Sequence, residues 1–168
     1  MFLNSKKAVE DGWITGIKDD SQIQPNAIDI TADRLFRVLD TNVFEISNSS
    51  KLHRKRGELT NPNIWQIEFG VYDFLSDVYV DVPEGAVGWL VTRSTLNRNG
   101  LVVQSGLYDS GYKGNIGGMI YNLSGTARIT PHTCVAQFII AESESVGKYK
   151  GGYNTERGAL PGQFIPGE

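Results

Sequence analysis

Cysteine is nearly missing from this chain. Cys134 is the only one in 168 residues, so no disulfide can close within it and a cysteine-rich zinc site has no ligands. Histidine is almost as scarce. His53 and His132 are the only two, so a His/Cys/Cys zinc centre is excluded and any Ser-His-Asp triad must use one of that pair. No run approaches 18 apolar residues, which excludes a helical membrane span. The opening Met1-Phe2-Leu3-Asn4-Ser5-Lys6-Lys7 lacks the apolar stretch of a signal peptide. Positive charge is in no surplus either: 16 Lys and Arg face 19 Asp and Glu, a formal net of −3. That balance argues against a protein that neutralises nucleic-acid phosphates, while leaving room for a small local phosphate site. The expectation is a soluble, cytoplasmic protein that engages neither nucleic acid nor membrane.

What is present fits a single folded domain. Apolar residues are 40% and charged residues 21%, an ordinary globular balance. Glycine is plentiful, 19 residues spread along the chain, which implies many tight turns. Short β-branched and aromatic runs recur: Ala27 to Thr31, Asn42 to Ile46, Ile64 to Phe69, Val78 to Val82 and Ala86 to Thr92. Further runs are Leu101 to Gln104, Asn115 to Asn122, Thr126 to Ile129 and Cys134 to Ala141. Gly, Pro, Asn or Ser bounds each, the mark of successive strands in an all-β sandwich or barrel. Two short helices are expected. Asn4 or Ser5 caps one through Lys6 to Asp11 with Gly12 closing it, and Ser94 caps Thr95 to Asn99 with Gly100 closing it. The basic run Lys51 to Arg56 sits among polar residues and reads as a solvated loop. After Ser143 the chain turns to Gly, Lys, Tyr, Asn and Pro, so residues 1–142 read as a β domain and 143–168 as an arm or intersubunit strap.

The densest polar cluster runs from Arg93 to Lys113. A helix starting at Ser94 directs free backbone N–H groups outward, beside a hydroxyl and the guanidinium groups of Arg93 and Arg98. Either a polyphosphate cradle or a capped surface turn satisfies that pattern. Asp109-Ser110-Gly111 reads equally as an ordinary turn, in which Asp bonds its own backbone.

Both segments occur in one order, and that order resembles a known superfamily. Gly106-Leu107-Tyr108-Asp109-Ser110-Gly111-Tyr112-Lys113-Gly114 is similar to the third motif of the trimeric dUTPases, G-[VL]-I-D-x-x-Y-x-G. Arg93-Ser94-Thr95-Leu96 resembles their second motif, R-S-G-L, and Ala136-Gln137-Phe138 their fourth, A-Q-L. Pro25-Asn26-Ala27-Ile28-Asp29-Ile30 resembles the first motif of the sister family, the dCTP deaminases, as do Val87-Gly88-Trp89-Leu90 and the position of Arg98. The resemblance leaves out residues 45 to 75. It implies a distorted jelly roll or β-barrel of the dUTPase type, and a homotrimer with sites at subunit interfaces.

The two families share a fold and differ in reaction. In the deaminases a glutamate on the strand after the third motif handles protons at the cytosine ring; here Met119 takes that place, and no carboxylate lies between Asp109 and Glu142. The hydrolase set is intact. The resemblance implies that Asp109 orients and deprotonates the attacking water and that Tyr112 packs under the deoxyribose. It assigns the base to main-chain groups at Gly106 and Leu107. Arg93, Ser94, Thr95, Arg98 and Gln137 become phosphate contacts, with Mg²⁺ held mainly through the substrate phosphates and no protein cage. Tyr108 departs from the usual aliphatic residue. In the tail, Lys148 falls near the phosphates and Tyr149 or Tyr153 caps the base, while Arg157-Gly158 with Phe164 offers a wider-spaced cation and aromatic instead. Asp29 reads as a structural anchor, His132 as an exposed turn residue, Cys134 as an inert thiol.

The expected function is hydrolysis of dUTP to dUMP and pyrophosphate. A dCTP deaminase, including a bifunctional one, is the first alternative; a non-catalytic nucleotide-binding regulator of the same fold is the second. Hydrolysis of another deoxypyrimidine triphosphate is the third.

Overall fold

Turn-bounded apolar runs become strands throughout the computed structural model, which describes residues 1–155. Helix α1 (Ser5–Glu10) comes first, followed by β1 (Ile14–Thr15), β2 (Ile23–Gln24), β3 (Ala27–Thr31) and β4 (Arg34–Val38). Then come β5 (Glu45–Ile46), β6 (Lys51–Leu52), β7 (Arg56–Glu58), β8 (Trp65–Ile67) and the long β9 (Gly70–Asp81). Strand β10 (Ala86–Thr92), helix α2 (Ser94–Arg98), and strands β11 (Leu101–Gln104), β12 (Lys113–Asn122), β13 (Ala127–Ile129) and β14 (Cys134–Glu142) complete the order. The expected all-β architecture with two short helices is what the chain adopts. Among the described residues no helix is long and apolar enough to cross a membrane.

All pairings are antiparallel. One sheet runs β11-β12-β9-β4-β7, with β1 on the far half of β9; a second runs β10-β14-β3-β2. Ile30, Leu35, Phe74, Val78, Ile120 and Phe138, contributed by both sheets, belong to one fully buried cluster. Two bulges bend the framework, one in β12 between Asn115 and Gly117 and one in β14 between Cys134 and Ala136.

The caps follow the sequence at one helix and depart from it at the other. Asn4 Oδ1 accepts from Lys7 N at 3.1 Å, and Gly12 leaves α1 at φ +76°. At α2 the cap position falls to Arg93, not Ser94, and no side chain caps it. Arginine has no acceptor to offer, and this one is drawn away toward Asp29.

Two stretches correct the sequence reading. Strand β9 begins eight residues before Val78, because Asp73, Ser76 and Asp77 interrupt an apolar pattern that is nonetheless extended. The basic run is only partly a loop: Lys51 and Leu52 pair with Ile46 and Glu45, and Arg56 opens β7 and turns onto Asp73.

Candidate active site

Between β11 and β12 the chain leaves the large sheet and crosses β10. Gly88 N donates to Tyr108 O at 2.9 Å and Tyr108 N donates to Gly88 O at 2.8 Å. Glycine is required at 88, since a Cβ there would lie 2.3 Å from Phe138 Cζ. The buried Tyr108 ring continues inward. Its hydroxyl donates to Gly117 O at 2.6 Å and accepts from Gly117 N at 3.0 Å, bolting the crossing segment to the bulge of β12. Phe138, Tyr108, Tyr112 and Tyr149 then form an edge-to-face series, with centroids 5.2, 5.1 and 5.5 Å apart. Burial pushes the Tyr112 phenol up to about 12 and raises that of Tyr108 as well, so both stay neutral packing groups.

The three tyrosines of this series floor a cavity of about 540 Å³. Gly106, Leu107, Tyr112, Tyr149 and Tyr153 all line it, so five of the expected substrate contacts share one chamber. Its back wall is β12, where Gly117 and Gly118 let neighbouring strands close in. A Cβ on either would meet a backbone oxygen, Phe74 O or Gln104 O, at 2.7 Å. Met119 also lines it.

Residues outside the resemblance enter here. Asp73 on β9 is the register partner of Met119, and directly opposed residues project on the same face. Arg56 Nε lies 2.7 Å from Asp73 Oδ2, and both line the cavity with His53. Burial pushes the Asp73 carboxyl up to about 6 against the pull of Arg56. The sequence signal was an aspartate inside the apolar run Val71 to Leu75. A carboxylate therefore does stand beside Met119, supplied by the adjacent strand and invisible to a search along β12 alone.

A second cavity of about 530 Å³ adjoins the first, and Leu107 and Tyr149 line both. Asp109 lines the second. Its carboxylate is exposed, with no hydrogen bond or ion pair among the described residues. Opposite is the segment after β14: Lys148 Nζ pairs with Glu84 Oε2 at 2.9 Å, and Tyr149 N donates to Ser110 O at 2.7 Å. Farther on, Asn154 Oδ1 accepts from Lys113 N at 2.9 Å, and Thr155 N donates to Lys113 O at 2.9 Å. Residues 147–155 thus lie along the motif hairpin. Arg157, Gly158 and Phe164 fall outside the described residues.

The remaining expected contacts stand elsewhere. Asp29, 4% exposed, gathers two of them: Arg93 Nη2 lies 3.2 Å from its Oδ2, and Gln137 Nε2 donates to its Oδ1 at 3.0 Å. Arg93 Nη1 also donates to Cys134 O at 3.1 Å. Asp29 is an anchor, as expected, and the Cys134 thiol is pushed up by burial. Ser94, Thr95 and Arg98 are exposed on α2. None of these five lines either cavity, so within one chain the phosphate set and the hairpin set are separate patches.

Among the described residues one group has metal-ligand spacing, Asp33, Asp77 and His132. Asp33 is already engaged. Against a burial that would raise it, bonds from His132, Lys18, Asp77 N and Thr31 hold its carboxyl at about 2. In the second cavity, Asp109 and Glu144 are the carboxylates present. Two carboxylates make no protein cage, so this lining suits an Mg²⁺ ion held through substrate phosphates and water, as that ion prefers.

A family model described as dCTP deaminase-like matches residues 4–143. The Halobacterium salinarum protein named "Probable deoxyuridine 5'-triphosphate nucleotidohydrolase" is 29% identical over 143 residues, covering 82% of this chain and 86% of that one. A dCTP deaminase of Pyrobaculum arsenaticum is 33% identical over 100 residues, 55% of this chain and 53% of its own. Among solved structures, the 2'-deoxycytidine 5'-triphosphate deaminase from Agrobacterium tumefaciens superposes with a TM-score of 0.64 at 15% identity. That likeness is one of fold, over 83% of this chain and 47% of the other. The motifs, the two-sheet fold and the match over residues 4–143 agree: this chain belongs to the dCTP deaminase-like family.

Proposed function

We propose that the chain hydrolyses dUTP to dUMP and pyrophosphate in the cytoplasm. The observation that carries this reading is Asp109: an exposed carboxylate with no hydrogen bond or ion pair among the described residues, three residues from the buried Tyr112 on the hairpin that floors the cavity. An unpaired carboxylate is an acceptor for a water proton. In the reaction, Asp109 takes a proton from water as its oxygen bonds to the α-phosphorus. The bond from that phosphorus to the oxygen bridging to the β-phosphorus breaks, and pyrophosphate departs. Mg²⁺ bound to the phosphates supplies charge neutralisation. Tyr112, neutral and buried, offers the sugar an aromatic wall on which a 2′-hydroxyl finds no room, and main-chain groups at Gly106 and Leu107 meet the base.

Arg93, Ser94, Thr95, Arg98 and Gln137 serve the leaving phosphates. Their distance from the hairpin cavities in one chain supports a homotrimer in which one subunit's arginine patch faces its neighbour's hairpin. Residues 143–168 act as the closing arm. With water excluded, Lys148 and the arginines act on the phosphates in a lower dielectric, and Tyr149 and Tyr153 cover the base. A second reading, deamination of dCTP, is favoured by the family description and would have to use Asp73, since Met119 carries no proton. Asp109→Asn tests the first reading: nucleotide binding persists while turnover falls by several orders of magnitude, and unchanged turnover removes Asp109 from the mechanism.

A further inference from the structure

We infer that the Arg56–Asp73 ion pair reads the N3–C4 edge of the pyrimidine, so that one cavity accepts uracil and cytosine nucleotides alike. The inference rests on the nucleotide reading of that cavity and adds a side-chain recognition element to it. The pair lies in the chamber that Gly106, Leu107 and Tyr112 line, on the strand next to Met119. Its members are side chains on β7 and β9, free to turn about their own torsions as main-chain groups are not; Asp73 is 7% exposed, and Arg56 Nε lies 2.7 Å away.

Burying such a pair gains a fold little, since apolar residues of similar volume commonly do as well. At the wall of a cavity it has a use that apolar residues lack. A carboxylate offers about four acceptor sites, and a single guanidinium, even in a two-pronged pairing, occupies two of them. A ligand entering the chamber thus meets an acceptor and a cation side by side. Uracil presents N3–H, a donor, beside O4, an acceptor. Cytosine presents N3, an acceptor, beside its amino group, a donor. Asp73 and Arg56 satisfy either order by exchanging partners, which the fixed alternation of backbone groups at Gly106 and Leu107 cannot do. With its carboxyl near 6, Asp73 is mostly ionised at neutral pH and acts as the acceptor this pairing requires.

Calorimetric titration of the full chain with three probes tests the inference: the α,β-imido analogues of dUTP and dCTP, and 2-deoxyribose 5-triphosphate, which has no base. The two nucleotides should bind within about tenfold of each other. A charge-assisted bond is worth roughly 1.5–3 kcal/mol, so Asp73→Asn should weaken both about 10- to 100-fold and leave the baseless triphosphate unchanged. Because that variant also removes the counter-charge beside Arg56, the double variant Arg56→Gln/Asp73→Asn is measured beside it, with the same selective loss expected. Equal loss on all three probes, no loss in the folded double variant, or a preference above a hundredfold for either base overturns the inference. A wild-type chain that binds none of the three overturns the nucleotide reading itself, a different result from any of these.

Discussion

Replacing Tyr108 by phenylalanine isolates the bolt that holds the motif hairpin. The ring keeps its place between Phe138 and Tyr112, at centroid distances of 5.2 and 5.1 Å, so no cavity opens and no apolar contact is lost. What goes is one hydroxyl that serves both polar groups of Gly117, at 2.6 and 3.0 Å. Each neutral bond contributes about 0.5–1.5 kcal/mol net, and each backbone group left bare in a buried place costs about 1–3 kcal/mol. Gly117 is half-buried, so water relieves part of the loss and a total near 2 kcal/mol follows. In a chain of this size that lowers the melting temperature by about 4–8 °C. Urea unfolding followed by tryptophan fluorescence reads the change as a lower midpoint at unchanged slope. Because Asp109 and Tyr112 flank the same crossing, dUTP turnover falls as well. A variant within about 0.5 kcal/mol of wild type would show that the hydroxyl does not hold the hairpin.

Other perturbations probe separate joints. Gly88→Ala places a methyl 2.3 Å from a ring carbon of Phe138, itself 1% exposed. Overpacking of this kind costs about 1–3 kcal/mol, and thermal unfolding should show it. Tyr112→Ala should lower the preference for dUTP over UTP by about tenfold or more, read as the ratio of kcat/KM values; an unchanged ratio contradicts its place under the sugar. Acid should unfold the chain partly through Asp33. Its carboxyl sits at about 2 in the fold against 3.8 ordinarily, so the unfolded chain takes up the proton first, and the stability present above about pH 4 is lost as pH falls toward 2. Asp33→Asn should flatten that limb of a urea midpoint-against-pH curve. Asp73 works in the opposite sense. Held up at about 6, it contributes stability that is lost as pH rises from about 4 to 6, and Asp73→Asn removes that dependence.

Much of the framework was legible because its signals were local. Ala27–Thr31, Ala86–Thr92 and Leu101–Gln104 are strands with the bounds their apolar runs mark, and Asn4 and Gly12 close α1 as their chemistry dictates. The motif hairpin was equally readable, since Gly106 to Gly114 is continuous in the chain. What escaped depended on pairing across distance. The first half of β9 hides behind polar residues whose partners lie far away: Arg56 for Asp73, and Thr31 and Asp33 for Ser76. The same blindness concealed the Asp73 carboxylate, because a strand's register decides which neighbour stands beside Met119. Tyr108, an apparent misfit in the motif, is explained only by the bulge at Gly117 and the missing side chain at Gly88.

Phosphoanhydride cleavage at the α-phosphorus by an Asp109-activated water can be read from its products. Purified protein with Mg²⁺, given dUTP and dCTP in turn while pyrophosphate, orthophosphate and ammonia are followed together, tests it most directly. Pyrophosphate and dUMP are expected in equal amounts from dUTP, with no ammonia from dCTP. Ammonia from dCTP with no pyrophosphate from dUTP would contradict it.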